Sequence, residues 1–209
     1  MGYAEGPISK YLDDASAKLP APGGGSIAAM VGALGASMSA MVANFTVGKK
    51  KYADVEEEAR GLLEQVEAER KTLTSMVDAD VAAYSKVSEA YGMPKDTDED
   101  KKARSAAIKD ACRAAMVVPM DIARSCGKIA DVAERLVDIG NKNLITDVGV
   151  SVLAADAAAK AAGLNVEINL GSIGDEAFAK ETKDELDLII EKVGRIAEMV
   201  MGKVKAALG

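Results

Sequence analysis

The longest apolar pattern in this chain runs from Ser26 to Gly48, where 23 consecutive residues carry no charged side chain. Its large side chains recur at alternating intervals of four and three residues, at Ile27, Val31, Leu34, Met38, Met41 and Phe45. That spacing predicts a helix. Gly and Ala occupy its other faces and allow close backbone approach, so we expect this helix to lie at the centre of the fold. A membrane span is the competing interpretation, disfavoured because Gly, Ala and Ser dilute the run and no other segment is comparable.

The pattern in the rest of the chain predicts further helices, at about residues 54–91, 97–140, 146–162 and 175–208. Gly92 and Pro94 end the first of these, and Thr97 is predicted to cap the next. Pro119 lies inside the region 97–140 and should kink or split it. The chain is therefore predicted to be a succession of helices.

One segment departs from helical spacing. From Leu164 to Leu170, apolar residues alternate with Asn165, Glu167 and Asn169, which is the period of a strand. No second segment offers a partner strand. Two interpretations therefore stay open, an irregular extended connection or a helix in which tertiary packing overrides the local pattern.

Composition supports one all-α domain over residues 1–209. Apolar residues make up 49% of the chain but aromatic residues only 3%, so the core must be built from small aliphatic side chains and Met. The fold class that follows is a multihelical up-and-down bundle with a central apolar helix. Cys112 and Cys126 lie fourteen residues apart, about 21 Å along a helix, too far for a disulfide, so we expect reduced core thiols.

Charge and missing residue types exclude several functions. The net charge of −7 and pI of about 4.8 would repel a phosphate backbone, so we expect no nucleic acid partner. The N-terminal segment shows no signal peptide pattern, which favours a cytoplasmic location. The chain contains no His, which removes Ser–His and Cys–His nucleophile pairs and most zinc sites. Proton transfer must then use carboxylates, Lys, Tyr or Cys.

Two polar segments flank the central helix. Gly23, Gly24 and Gly25 precede Ser26 and leave the backbone N–H groups of a helix start accessible to an anion or a polarised carbonyl. Lys49, Lys50 and Lys51 follow the other end, next to Tyr52. Each has a plainer explanation, since Gly repeats are common in connections and lysines complement a helix C-terminus.

A carboxylate stands inside an apolar stripe. At 100° per residue, Asp80 projects about 20° from Leu73 on the predicted helix 54–91, a position expected to be apolar. Burying an ionised Asp is unfavourable unless it is paired or faces a ligand, so Asp80 is the leading candidate for chemistry. A structural ion pair with a neighbouring helix is the alternative. Asp78 projects about 140° away, as a supporting or solvated charge, and Asp156 has no assigned role.

Several segments together resemble the cyclodeaminase/cyclohydrolase family, whose members act on one-carbon derivatives of tetrahydrofolate. They are PAPGGGS, VANFTVGKKKY, LTSMVDADVAAY, AYGMPKDTDEDK, GNKNLITDVGV and LNVEINL, in that order over nearly the whole chain. The resemblance implies an all-helical fold that dimerises through helices, a folate site near the subunit interface, and no metal or bound cofactor. It also implies that LNVEINL is helical.

The resemblance assigns roles as well. It implies that Asp80 is the catalytic acid, and our own hypothesis gives Asp78 the role of a supporting charge. It further implies substrate binding at two sets of residues, Gly23, Gly24, Gly25 and Ser26, and Lys49, Lys50, Lys51, Tyr52, Asn141, Asn143 and Asp147. The lysines are expected to meet the anionic tail of a polyglutamylated folate.

The activity that the resemblance favours is hydrolysis of 5,10-methenyltetrahydrofolate to 10-formyltetrahydrofolate, because the chain stands alone without a transferase domain. Cyclodeamination of formiminotetrahydrofolate, a lyase reaction that releases ammonia, is the alternative. A non-catalytic folate-binding or scaffold protein is the second alternative. The expected assembly is a homodimer, with higher assembly left open, and no membrane partner.

Overall fold

A computed structural model describes residues 2–209, and within that range it contains helices and turns but no strand. The α-helices are α1 Ile8–Ser16, α2 Gly24–Asn44, α3 Glu56–Tyr91, α4 Asp98–Ala115, α5 Val117–Ile139, α6 Ile145–Ile173 and α7 Glu176–Leu208. Short 3-10 helices span Tyr3–Glu5, Lys50–Val55 and Lys142–Leu144. The predicted all-α class is confirmed.

Helix α2 is the centre of the bundle and packs on α3, α5 and α6. Gly32 lies against Leu73, and an added Cβ at Gly35 would lie 2.9 Å from the Ser151 carbonyl oxygen of α6. The small residues are therefore what permits these close contacts. By length and composition α2 alone among the described helices could cross a membrane, yet 61% of its most apolar window is buried inside the fold. It packs as a core helix, as its pattern predicts.

Local signals set most helix ends close to their predicted positions. Thr97 caps α4, accepting from the Asp100 N–H while the Asp100 side chain accepts from the Thr97 N–H. The region 97–140 splits at Met116, so that Pro119 falls in the first turn of α5, where a missing N–H is tolerated. Cys112 and Cys126 are free and buried, as predicted.

The segment Leu164–Leu170, whose pattern resembles a strand, is helical. The extended interpretation is therefore wrong, and the helix that the family resemblance implied is confirmed. Helix α6 continues eleven residues past the predicted end at Ala162 and stops at Gly174, whose φ of 68° is left-handed. The alternation misled because Leu164 and Ile168 are exposed, 69% and 74%, while Val166 is buried. Gly163 does not end the helix, because its missing side chain makes room for Ile190 of α7.

Candidate functional site

The candidate site forms where the first turn of α2 meets the middle of α3. Gly23 is the N-cap residue of α2, with an extended backbone, and Gly24, Gly25 and Ser26 form the first turn. The N–H groups of this turn have no helical partner and the positive end of the helix dipole lies here, so the turn favours a negative group. Asp80 of α3 supplies one.

Asp80 is held by the backbone of α2 rather than by a cation. The Ser26 N–H donates to Asp80 Oδ2 at 2.9 Å, across 54 residues of sequence. Burial raises the pKa of the Asp80 carboxyl, and the Ser26 N–H opposes that rise by stabilising the ionised form. Among residues 2–209, no Lys or Arg forms an ion pair with Asp80, so the alternative of a structural pair is not realised.

Gly25 is the residue that lets the carboxylate come this close. An ideal Cβ at Gly25 would lie 2.1 Å from Asp80 Oδ1, well inside van der Waals contact. The third glycine of the loop is therefore required by a close approach, not by an unusual φ.

A cavity of about 450 Å³ opens beside Asp80. Its walls come from the Gly loop, α3, α4, α5 and α6, and include Pro20, Gly23, Gly24, Asp80, Ala83, Tyr84, Val87, Ser88, Tyr91, Cys112, Pro119, Asn165, Ile168, Asn169 and Ser172. The size and the largely apolar lining with few polar groups are typical of a small-molecule site. Asp80 is the one carboxylate among the described residues that line it.

Asn165 and Asn169 are cavity residues that the sequence analysis did not single out. Each amide donates an N–H to the carbonyl four residues earlier, Ala161 and Asn165 respectively, at 2.8 Å. A carbonyl only accepts, so the Nδ2 of each amide is fixed toward the helix and Oδ1 stays available as an acceptor. Recognising the segment as a helix would have shown the two amides at i and i+4 on one face.

Asp78 does not join Asp80 in this cavity. Its Oδ1 accepts from the Tyr3 N–H at 2.7 Å and its Oδ2 from the Ala4 N–H at 3.3 Å, which fixes the N-terminal segment to α3. It lines a separate cleft with Lys10 and Asp14. The projection that separated the two aspartates on α3 is thus confirmed.

The remaining predicted residues gather at the opposite end of α2, in what we call the lysine end: Lys49–Tyr52, Asn141, Asn143 and Asp147. The Tyr52 hydroxyl donates to Asn141 Oδ1 at 3.4 Å, and the Asn143 N–H donates to the same oxygen at 3.1 Å. Lys49, Lys50 and Lys51 are exposed. Because α2 contains 21 residues, about 30 Å of helix separates the lysine end from Asp80 within one chain.

Ser26 and Gly25 contribute backbone rather than side chains to the site. Ser26 is fully buried, and its hydroxyl donates to the Val77 carbonyl oxygen at 2.9 Å. Gly25 is also buried and does not line the cavity. Of the predicted loop, only Gly23 and Gly24 face the cavity directly.

This chain is similar in sequence and in fold to known proteins. Residues 7–188 match the formiminotransferase-cyclodeaminase family. The chain is 43% identical to methenyltetrahydrofolate cyclohydrolase of Methylorubrum extorquens, over 95% of this chain and 96% of that protein. It is 31% identical to formimidoyltransferase-cyclodeaminase of Mus musculus, over 94% of this chain but only 36% of that longer protein. The crystal structure of formiminotetrahydrofolate cyclodeaminase from Thermotoga maritima superposes with a TM-score of 0.89 at 31% identity, over 98% of each chain.

Proposed function

The chain belongs to the formiminotransferase-cyclodeaminase family, and we propose that it hydrolyses 5,10-methenyltetrahydrofolate to 10-formyltetrahydrofolate. The 43% identity to a cyclohydrolase, over nearly the full length of both chains, supports this choice. The single structural observation that carries it is the Asp80 carboxylate, which lies on the cavity wall without a cation partner. A partly buried carboxylate without a cation partner suits a cationic ligand.

The substrate's chemistry fits Asp80. Its one-carbon unit bridges N5 and N10 as an amidinium cation, which a nearby carboxylate stabilises. Water adds to the bridging carbon while Asp80 takes one of its protons, forming a neutral adduct. The C–N5 bond then breaks, Asp80 returns its proton to N5, and the adduct's hydroxyl proton leaves to solvent as the N10-formyl group forms. One water is consumed and one proton is released, as the reaction requires.

The cavity has groups for the rest of the ligand. Asn165 and Asn169 offer amide oxygens that can accept from the amino and ring N–H groups of a pterin, and the apolar side chains of α3 and α4 can cover its faces. We assign the pterin to this wall and the one-carbon bridge to Asp80.

Assays of both family reactions on the purified chain test the proposal. We expect loss of the methenyl compound above the uncatalysed rate and no ammonia release from formiminotetrahydrofolate. Asp80→Asn should lower kcat about 10²–10⁴-fold with folding retained, since it removes the proton acceptor and keeps the shape. The control is Asp138→Asn, because the Asp138 carboxylate pairs with Lys203 on the surface and does not line the cavity. Ammonia release alone would replace the proposal with the cyclodeaminase, which the similarity to the Thermotoga maritima protein favours.

We further propose that the working unit is a homodimer and that each folate site uses residues of both copies. Exposed apolar side chains support this, because Leu34 of α2, Phe45 just after it, and Leu153, Leu164 and Ile168 of the adjacent α6 are each exposed by about half or more. The separation of the lysine end from Asp80 supports it too. An antiparallel pairing of α2 with its copy would bring one lysine end close to the other copy's Asp80.

Co-expression of two defective chains tests this arrangement. One chain carries Asp80→Asn and the other carries Lys49→Ala, Lys50→Ala and Lys51→Ala. If the sites are shared, mixed dimers contain one intact site and recover activity toward a polyglutamylated substrate at low concentration. If each site lies within one chain, no mixture recovers activity. Leu34→Glu should halve the molar mass measured by light scattering, and an unchanged mass would reject this interface.

A further inference from the structure

Two buried hydroxyls, on Tyr11 and Ser26, lie behind the catalytic cavity and do not reach it. Tyr11 of α1 is 2% exposed and Ser26 is fully buried, and their hydroxyl oxygens lie 3.0 Å apart. Burial raises the pKa of the Tyr11 hydroxyl, with smaller contributions from the negative charges of Asp80 and Asp78. Neither hydroxyl has a place in the chemistry proposed above.

The direction of these bonds follows from the number of hydrogens. The Ser26 hydroxyl has one hydrogen, which it donates to the Val77 carbonyl oxygen at 2.9 Å. Ser26 Oγ must therefore accept from the Tyr11 hydroxyl. The result is a directed chain from α1 through α2 to the backbone of α3.

Ser26 is consequently attached to α3 at two points. Its hydroxyl donates to Val77, and its backbone N–H donates to Asp80 Oδ2 at 2.9 Å, one turn further along α3. The hydrogen bond to Val77 holds α2 and α3 at a fixed distance. At that distance the Ser26 N–H reaches Asp80 Oδ2 and holds the carboxylate. A shift of the first turn of α2 would therefore move the N–H away from Asp80.

The N-terminal segment completes a closed circuit of contacts. Asp78 holds the Tyr3 and Ala4 N–H groups, and the Tyr3 ring packs edge-on against the Tyr11 ring with centroids 5.4 Å apart. The circuit starts at Asp78, passes through Tyr3, Tyr11 and Ser26, and returns to α3 at Asp80. Asp78 and Asp80, which lie two residues apart on α3, thus contact this region from two sides.

We propose that Tyr11 and Ser26 are positioning residues for Asp80, which hold the first turn of α2 so that the Ser26 N–H keeps the carboxylate oriented toward the cavity. This inference rests on the proposed function of Asp80. It assigns to the first helix and the N-terminal segment a role in catalysis without contact to substrate.

The titratable groups around this region limit what else can affect Asp80. Four elements contribute titratable groups: the N-terminal segment has Tyr3, α1 has Tyr11 and the ion pair of Lys10 with Asp14, α3 has Asp78, Tyr84 and Tyr91, and α4 has Cys112. Helix α2 has none, and α6 contributes the amides of Asn165 and Asn169. In the described residues, no Lys or Arg lines the cavity. The Ser26 N–H is therefore the chief group that favours the ionised carboxylate.

The test compares Tyr11→Phe and Ser26→Ala with a matched control, Ser39→Ala. Ser39 also lies on α2, is also fully buried, and shares a 2.7 Å hydrogen bond with the Ser151 hydroxyl, but it does not line the cavity or contact Asp80. The readouts are kcat, KM, the acid limb of the pH profile of kcat/KM, and the melting temperature. Wild-type activity is measured first.

We expect Tyr11→Phe and Ser26→Ala to lower kcat on the order of tenfold or more, with little change in KM. Their acid limb should move to higher pH, because a looser Ser26 N–H stabilises the Asp80 carboxylate less. Ser39→Ala should lose comparable stability yet keep the wild-type kcat and acid limb. Equal behaviour of all three variants in kcat and acid limb would overturn the positioning role.

Two further outcomes are distinguishable. If the wild-type chain catalyses neither folate reaction, the proposed function fails. If Ser26→Ala does not fold, Tyr11→Phe, which removes a single oxygen and keeps the ring packing, decides the matter by the same readouts. A Tyr11→Phe enzyme that is folded and has the wild-type acid limb would refute the inference on its own.

Discussion

Replacing Gly25 with Ala places the smallest side chain where the structure has no room for one. The new Cβ would lie 2.1 Å from Asp80 Oδ1 and 2.6 Å from its Cγ, whereas ordinary contact begins at 3.4 Å. One partner must therefore move by about 1.3 Å. Asp80 has a short side chain with the cavity beside it, while α2 is held by α3, α5 and α6, so we expect the carboxylate to move into the cavity.

The expected magnitude follows from this displacement. A rotated carboxylate loses the Ser26 N–H and leaves its position beside the reacting carbon, and a misplacement of about 1 Å costs on the order of 10²-fold in rate. Stability should change by less than about 1 kcal/mol, because the helix gain from Gly to Ala and the loss of one hydrogen bond are similar in size and opposite in sign.

The assay is steady-state hydrolysis of the methenyl substrate, together with thermal unfolding. Gly61→Ala is the matched control, since Gly61 lies within α3 with no atom within 4 Å of an added Cβ. That control should keep wild-type kcat and gain about 0.5–1 kcal/mol of stability. A Gly25→Ala enzyme with wild-type kcat/KM would show that the close approach of α2 to Asp80 is not needed for catalysis.

Two further predictions concern charge. Asp80→Asn should raise the free energy of unfolding at neutral pH, because a carboxyl whose pKa is raised from 3.8 on folding destabilises the native state once it ionises. The difference in free energy of unfolding between the variant and the wild type should vanish below pH 3.8 and grow as pH rises from 3.8 through the raised pKa. Urea unfolding at several pH values measures this difference, and a difference that is the same at every pH would contradict the reasoning. Lys49→Ala or Lys51→Ala should raise KM for polyglutamylated folate about fivefold more than for the monoglutamate, since an ion pair near 4 Å in water contributes about 1 kcal/mol. An equal change in KM for both substrates would indicate that these lysines only complement the dipole at the C-terminus of α2.

The sequence predicted helices correctly where residue spacing and local capping decide the outcome, although α2 buries its Gly, Ala and Ser positions more deeply than its stripe of large side chains. The stripe of α2, the Thr97 cap and the break near Pro119 all depend on residues within a few positions of each other, so their outcome is local. The extended interpretation of Leu164–Leu170 was wrong because two of its three largest apolar residues, Leu164 and Ile168, point outward on α6, whereas a pattern analysis assumes that such residues point inward. With that segment misread, the amides of Asn165 and Asn169 were not recognised as cavity groups.

The sequence by itself determined that the chain is helical, that one helix is apolar on all sides, and that Asp80 stands in an apolar stripe while Asp78 does not. Spacing and composition suffice for these, because a helix repeats every 3.6 residues whatever it packs against. Only the tertiary structure decided that the Ser26 N–H meets Asp80, that Asp78 holds the N-terminal segment, and that the lysine end lies a helix length away. These features depend on which helices pack together and how closely. Contacts between residues far apart in sequence determine that packing, and no local period in the sequence encodes it.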